Sequence, residues 1–391
     1  MKILHIITRL DRGGSADNTL LSCIGQRRRG HEVMLVSGRG LSQESSLTAS
    51  AQKEGVKLVY LPPLVRAVQP LEDLKALIGL RRIIQSGNFD MVHTHTSKAG
   101  ILGRFAARFS GAPPVVHTPH GHIFYGYFGE PKTKLFIWAE KLMARWTDVI
   151  VTLTDREAEE HLAFGVGRPG QFETIFSGIS LKDRSSLNGS RNRTVLRTEL
   201  GLPPEGELVI SAGRLDPIKG HGALIESFPQ VLLHCPEAHL ILAGEGELRS
   251  IYEKRVEVLK IRGRVHFLGW RDDVDDLLEA ADLFVLPSLN EGMGRAVVEA
   301  MAAGLAVVGT KVGGVPLIVE EGETGLLVPP KDTDSLASAI VRLLSNPDER
   351  RSMGSAGQRK AAEFSDEAMV DRLENLYRRI LSSSPPVKAP V

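Results

Sequence analysis

Glu291 and Glu299 stand eight residues apart in Ser288-Leu289-Asn290-Glu291-Gly292-Met293-Gly294-Arg295-Ala296-Val297-Val298-Glu299-Ala300-Met301. The apolar run Leu283-Phe284-Val285-Leu286-Pro287 before them reads as a buried strand. After the glycines comes a good helical segment that ends near Ala303-Gly304. A strand that passes through a Gly-containing loop into a helix start leaves unpaired backbone N–H groups aimed at one point. Such a point suits a phosphate. Eight residues make roughly two helical turns, so the two carboxylates could meet one extended ligand at different places. Carboxylates beside a phosphate nest suit sugar hydroxyls, as in the ribose-binding acid of dinucleotide folds. The alternative is a surface helix carrying two unrelated glutamates.

A second stretch, Ser211-Ala212-Gly213-Arg214-Leu215-Asp216-Pro217-Ile218-Lys219-Gly220, ends a strand. It places Arg214 and Lys219 at a sheet's carboxyl edge. Two cations there suit a diphosphate, Arg by its planar fork and Lys as a point charge. Two surface cations are the plainer reading. The first βα turn, Thr8-Arg9-Leu10-Asp11-Arg12-Gly13-Gly14-Ser15-Ala16, pairs two glycines that permit close backbone approach to a ligand. It lacks the Gly-x-Gly-x-x-Gly dinucleotide fingerprint, and no Walker A sequence occurs. Val116-His117-Thr118-Pro119-His120-Gly121-His122 follows another strand. Its three imidazoles suggest a metal, but no nearby carboxylate or cysteine completes a site. A histidine bonded to a polar substrate is the better expectation. His93 and His95, on a further strand, are read mainly as structural.

These residues need a scaffold, and its pattern is regular. Short apolar runs alternate with longer helical patterns. Strands are expected at Ile3–Thr8, Glu32–Ser37, Lys57–Leu61, Met91–Thr96, Val115–Thr118, Val149–Leu153 and Glu173–Phe176. The polar stretch that follows, 181–193, reads as a link between domains. The alternation then restarts at Leu208–Ala212, Leu240–Ala243, Val265–Leu268, Leu283–Leu286, Ala306–Val308 and Leu326–Val328. Strand–helix alternation means βαβ units and parallel sheets. Two such sheets imply a cleft, with ligands beyond the carboxyl ends of the strands. The last helical stretch, Asp366–Leu381, carries Met369, Leu373, Leu376, Tyr377 and Ile380 on one face and could pack on either domain. The tail 382–391 is Ser/Pro-rich and expected to be disordered.

Composition sets outer limits. The chain has 391 residues, enough for two domains with full cores. Cys23 and Cys235 lie in no paired motif, which points to a reducing compartment without disulfides or a zinc site. The short apolar start reads as a first strand rather than a signal peptide. No apolar run of about 18 residues offers a membrane span. The net charge of +1 hides an asymmetry. Residues 1–190 hold 24 Lys and Arg against 17 Asp and Glu, a balance of +7; residues 191–391 hold 24 against 30, a balance of −6. A basic first half suits an anionic phospholipid surface or phosphate-bearing substrate, although solvated helix faces explain it too. Aromatic content is 5% and no stacking platform appears, so nucleic acid is not expected as a partner.

In this order the pieces resemble the family-4 retaining glycosyltransferases of the GT-B fold. The strongest carriers are Gly213-Arg214-Leu215-Asp216-Pro217-Ile218-Lys219-Gly220 and Glu291-Gly292-Met293-Gly294 with Glu299-Ala300-Met301-Ala302-Ala303-Gly304. Gly13-Gly14, His93 to Gly100, His120-Gly121 and Gly313-Gly314-Val315-Pro316 support them. The resemblance implies an α/β protein of two Rossmann-like doubly wound domains. These would be an acceptor-side domain over 1–180, a linker over 181–193, a nucleotide-sugar-binding domain over 194–365, and a helix over 366–381 that crosses back to the first domain.

It also implies site roles. Arg214 and Lys219 would hold the donor diphosphate, capped by amides of Gly292, Met293, Gly294 and Arg295, with Gly14 approaching from the other domain. Glu299 would bind the ribose, Glu291 the donor sugar, and the backbone near Val265, His266, Phe267 and Leu268 the base. His120 matches the family's active-site histidine, and His120 and Glu291 would be the catalytic pair. The leaving phosphate would take the acceptor proton, while fixed cations and amides replace a divalent metal. No cofactor or essential metal is therefore expected. The expected partners are a nucleotide-sugar donor, UDP rather than GDP, and a glycan or lipid-linked acceptor, with the enzyme cytoplasmic and in peripheral contact with the inner face of the membrane. Two departures bear on sugar or acceptor identity. Leu317 stands where many members have Glu, and Asp17-Asn18 stand where many have Glu-Arg. A GT-B-fold nucleotide-sugar epimerase and a non-catalytic nucleotide-sugar binding module are the competing expectations.

Overall fold

The computed structural model describes residues 1–10, 14–38, 46–111, 113–121, 130–181, 197–198, 201–202 and 206–383. The chain divides into two compact units, Met1–Gly178 with the segment from Asp366 onward, and Ile179–Ser365.

In the first unit the strands are β1 (Lys2–Ile7), β2 (Glu32–Ser37), β3 (Lys57–Tyr60), β4 (Met91–His95), β5 (Val115–Thr118), β6 (Val149–Thr152) and β7 (Phe172–Thr174). The intervening helices are α1 (Gly14–Arg28), α2 (Ser46–Lys53), α3 (Pro70–Gly87), α4 (Ser97–Arg108), α5 (Glu130–Ala144) and α6 (Asp155–Ala163). The sheet order is β3-β2-β1-β4-β5-β6-β7, and every pairing is parallel. The central strands are buried along their length, but they are not purely apolar: His5 in β1, His93, Thr94 and His95 in β4, and His117 and Thr118 in β5 are buried among aliphatic residues. In β1, residues Ile3 to Ile7 are all buried.

The second unit repeats the scheme with β8 (Leu208–Ala212), α7 (His221–His234), β9 (His239–Ala243), α8 (Arg249–Val258), β10 (Val265–Gly269), α9 (Val274–Ala280), β11 (Leu283–Leu286), α10 (Arg295–Ala302), β12 (Ala306–Thr310), α11 (Val315–Ile318), β13 (Gly325–Val328), α12 (Thr333–Ser345) and α13 (Pro347–Ala361). Its parallel sheet runs β10-β9-β8-β11-β12-β13.

Two helices carry little sequence signal. One is α2. The other is α13, which buries Met353, Gly354, Gly357 and Ala361 rather than a stripe of large apolar residues. A Cβ at Gly354 would lie 2.0 Å from the Gly304 carbonyl oxygen, so this helix packs through a close backbone approach. Close approach leaves no hydrophobic period to detect.

The final helix, α14 (Asp366–Ser383), belongs to the first unit. Its Met369, Val370, Leu373, Leu376, Tyr377 and Ile380 pack with Ile3, Leu21, Met91, Val116, Val151 and Ile175. The face read from the sequence is the buried one, extended by Val370. Asn18 also turns inward, where its Nδ2 donates to Ser177 Oγ at 2.8 Å. Asn18 therefore helps anchor this unit's core. Most of the expected linker (182–193) and most of the tail (384–391) lie outside the described residues.

Candidate active site

In each sheet the strand order reverses at one place, between β1 and β4 in the first unit and between β8 and β11 in the second. Open α/β sheets bind ligands beyond the carboxyl ends of the strands at such a switch point. The two stretches singled out in the second unit follow its two switch-point strands. β8 leads into Gly213–Gly220, and β11 leads into Pro287–Gly294. Residues more than 70 positions apart thus share one edge.

Backbone contacts lock these loops together. The Leu289 N–H donates to the Ile218 carbonyl at 2.7 Å, and the Gly314 N–H donates to the Gly292 carbonyl at 3.0 Å. A Cβ at Gly220 would lie 2.1 Å from the Pro287 oxygen, and one at Gly313 would lie 1.6 Å from the Glu291 oxygen. Both glycines also have positive φ, 68° and 51°. Any side chain there would push the loops apart.

The locked backbone aims polar side chains at one another. Lys219 Nζ donates to Glu291 Oε1 at 2.7 Å. Ser288 Oγ donates to the same oxygen at 2.7 Å. Thr310 Oγ1, from the end of β12, donates to the Ser288 carbonyl at 2.5 Å. Asp216 Oδ1 accepts from the Lys219 N–H at 3.1 Å and caps the short 3₁₀ turn that carries the lysine. Arg214 reaches Asp216 at 3.0 Å and is otherwise open to solvent, its side chain 72% exposed. Arg295 lies 3.7 Å from Glu299 across one turn of α10. Gly294, with φ 84°, makes the sharp entry to that helix. Ser288 and Asp216 lie inside the stretches quoted from the sequence but had no role there, and Thr310 lay outside them, because common polar residues carry no signal of their own until a fold brings them together.

The stretch expected to contact the base falls on β10, at the edge of the sheet. The Val265 side chain is in the core, and His266 Nε2 is bonded to His239 Nδ1 at 2.8 Å. That leaves the main chain at the carboxyl end of β10, with Leu268, as what this stretch offers a base. Leu317 is exposed on α11, an apolar group beside Gly314.

In the first unit, Gly14 opens α1, while Gly13 and His122 lie outside the described residues. Among the described residues His117 belongs to no group of candidate metal ligands: it sits buried in β5, with Nδ1 bonded to Thr94 Oγ1 at 2.9 Å. His120 follows β5 with a left-handed backbone, φ 58°, and Thr96 after β4 also has positive φ, 62°. Such strain in residues other than glycine persists only where surroundings impose it. Here Glu157, buried in α6, accepts from the Gly121 N–H at 3.0 Å and from the Leu153 N–H at 2.8 Å. It ties the turn after His120 to the end of β6.

The histidines form a connected set that the sequence did not announce. His120 Nε2 meets His95 Nδ1 at 2.9 Å, His95 Nε2 meets His5 Nδ1 at 2.9 Å, and His5 Nε2 meets Gln26 Oε1 at 2.8 Å. His93 Nδ1 meets Tyr377 OH at 2.5 Å and its Nε2 meets Thr118 Oγ1 at 2.7 Å. His5, His93 and His95 are close enough to suggest a cation site, their ligand atoms lying within 4.8 Å of one another. Yet each of their ring nitrogens already has a hydrogen-bond partner. Burial lowers the His5 pKa to about 4, and burial together with neighbouring imidazoles holds His93 and His95 well below the usual histidine value. All three rings are neutral near pH 7.

Two parallel-sheet α/β units with this strand order are the architecture of the GT-B glycosyltransferases, and solved members share it. The Anabaena protein HepE in complex with UDP and glucose has a TM-score of 0.81 at 22% identity, over 97% of this chain and all of that one. WaaG, a glycosyltransferase involved in lipopolysaccharide biosynthesis, has a TM-score of 0.74 at 18% identity, over 96% and 99% of the two chains. Residues 13–175 match the glycosyl transferase 4-like domain, and residues 192–360 match glycosyl transferases group 1. The chain belongs to this glycosyltransferase family and is a transferase that uses nucleotide sugars. It is similar to the UDP-Gal:alpha-D-GlcNAc-diphosphoundecaprenol alpha-1,3-galactosyltransferase of Escherichia coli, at 29% identity over 86% of this chain and 87% of that one. The putative glycosyltransferase EpsD of Bacillus subtilis is also 29% identical, over 81% and 83%.

Proposed function

We propose that the protein transfers a hexose or N-acetylhexosamine, with retention at the anomeric carbon, from a UDP-sugar to a lipid-linked or oligosaccharide acceptor in cell-surface polysaccharide assembly. The observation that carries this reading is the convergence of Lys219 and Ser288 on Glu291 at the switch point of the second sheet. When a nucleoside diphosphate leaves, negative charge grows on its oxygens. Lys219, Arg214 and the amides of Gly292 to Arg295 offer positive potential there, fixed in advance by the interlocked loops. Charge stabilisation of this kind needs no divalent ion, so we expect chelators to leave turnover intact. Glu291, held by two donors, is oriented to accept from sugar hydroxyls rather than to attack carbon. Glu299 is assigned to the ribose and His120 to the donor sugar. The base is assigned to the main chain of Val265 to Leu268.

UDP is favoured over GDP, and a lipid-linked acceptor over a free one, because the Escherichia coli relative is named for both. A surface feature supports peripheral membrane contact. Among the described residues no helix is long and apolar enough to cross a membrane. However, α3 exposes Leu71, Leu74 and Ile78 on one face. A hollow of about 370 Å³ opens between that face, Arg81, Phe105 and Phe109. An apolar face edged by arginine suits the boundary of an anionic bilayer.

Incubation with UDP- and GDP-sugars, read by nucleotide release, tests the class. Proton NMR of the product's anomeric centre tests retention. Full release by both Lys219→Ala and Glu291→Ala enzymes would refute the site assignment.

A further inference from the structure

The chain of rings behind His120 has a direction, and the direction follows from its far end. Tyr377 OH lies 2.5 Å from His93 Nδ1. A phenol is the better donor and a neutral imidazole nitrogen the better acceptor, so the single phenolic proton goes to His93. The Tyr377 oxygen then has only lone pairs to offer Gln26, whose Nε2 lies 3.5 Å away and donates to it. That orients the Gln26 amide, with Oε1 facing His5 Nε2 at 2.8 Å. An amide oxygen can only accept, so His5 carries its proton on Nε2 and leaves Nδ1 as an acceptor. His5 is neutral, so it holds no second ring proton. His95 must therefore donate through Nε2 and accept through Nδ1. His120 in turn must donate through Nε2.

We propose that Gln26, His5 and His95 are positioning residues that hold His120 in its Nε2–H tautomer, so that this ring meets a bound donor sugar as a hydrogen-bond acceptor through Nδ1. The assignment of the sugar to His120 rests on the function proposed above; the tautomer does not. None of the three positioning residues needs to touch substrate. His5 and His95 are wholly buried, and Gln26 lies in the core between α1 and α14. The arrangement explains why three polar residues occupy β1, β4 and α1 at places where apolar ones would pack more cheaply: burying polar groups is tolerable only when each is bonded. It also explains the strained backbone at His120. A ring held from behind by a fixed acceptor needs its main chain fixed as well, and Glu157 does this through Gly121. An imidazole is ambidextrous in water. Here the ambiguity is removed in advance, as a partner on the second ring nitrogen removes it at metal sites.

The test is two-bond ¹H–¹⁵N correlation NMR on histidine-labelled protein near pH 7.5, with the His120 signals assigned by their loss in His120→Ala. The expected wild-type result is protonated Nε2 and unprotonated Nδ1. Tyr377→Phe, nearly isosteric, removes the phenol that orients Gln26; a mixture of tautomers at His120 is expected. Gln26→Leu removes the acceptor and should do the same, while Gln26→Glu, which still accepts, should restore the single form. In transfer assays Gln26→Leu should lose about tenfold in kcat with donor KM unchanged, the lower end of what second-nitrogen partners supply at metal sites, and Gln26→Glu should recover most of it. A wild-type His120 protonated on Nδ1 would overturn the proposal, as would an unaltered tautomer in both Tyr377→Phe and Gln26→Leu. An altered tautomer with unaltered kcat would overturn its functional half. Failure to release nucleotide from any donor would instead count against the transferase assignment, and the tautomer would still be read.

Discussion

Lys219 Nζ donates to Glu291 Oε1 at 2.7 Å, joining residues 72 positions apart. Neither side chain is fully open: their exposures are 26% and 10%. The pair is therefore partly shielded, and each member holds the other in place. If Lys219 faces the departing diphosphate as proposed, Lys219→Ala removes one preorganised cation from it. We expect turnover to fall by about 10² to 10³, the usual cost of deleting one donor at a developing oxyanion. Because Glu291 still accepts from Ser288, Lys219→Ala and Glu291→Ala should be less than additive in the double mutant. Steady-state kinetics on all three variants will show this; strict additivity would mean the pair is not a working unit.

The glycines that lock the loops give a stability prediction. Gly313→Ala puts a methyl 1.6 Å from the Glu291 oxygen at a φ of 51°. The backbone strain alone costs about 1 to 3 kcal/mol, and the loops must part as well. We expect a lower melting temperature and loss of UDP binding by calorimetry. A substitution that leaves both unchanged would show that the three loops are not packed as described.

Unit one contains a buried ion pair, Arg104 Nη2 to Glu140 Oε2 at 2.7 Å, with the arginine side chain 0% exposed. Arg104→Leu strands a buried carboxylate and should cost about 3 to 5 kcal/mol. Removing both charges, as Arg104→Leu with Glu140→Leu, should be milder. Urea midpoints of the two variants decide it, and a double mutant as unstable as the single one would contradict the argument.

Acid should weaken the first unit through its histidine cluster. The polar and titratable groups that face His5 are Gln26, His93 and His95. Above pH 6.5, His5 is neutral whether folded or unfolded and contributes no pH dependence. Below that, the unfolded ring takes a proton that the folded ring refuses down to about pH 4. Stability therefore falls as pH drops from 6.5 towards 4, by about 3 kcal/mol for His5 alone. His93 and His95 act in the same direction. Melting temperatures at pH 7.5, 6 and 5 should decline steadily. A flat profile would mean that the buried rings are charged or not buried.

The apolar face of α3 predicts membrane behaviour. Leu74→Glu with Ile78→Glu should reduce sedimentation with vesicles containing phosphatidylglycerol, while nucleotide release with a soluble acceptor stays intact. Equal binding by wild type and variant would assign the face elsewhere.

By itself the sequence determined the element pattern and the loops that matter. The strand-length apolar runs and the Gly-flanked stretches at 213–220 and 291–299 were legible because βαβ periodicity and glycine punctuation are local properties. Helix α13 was not legible, since it packs through Gly354 and Gly357 rather than through a stripe. Tertiary structure alone decided which loops meet. Strand order placed β8 beside β11, and hence Lys219 beside Glu291 and Ser288, a long-range pairing with no local trace. The same holds in unit one, where β1 beside β4 turned His5, His93 and His95 from separate strand residues into a bonded array behind His120. Spacing along a chain does not specify which strand lies next to which; only the burial of whole strands and helices against one another does.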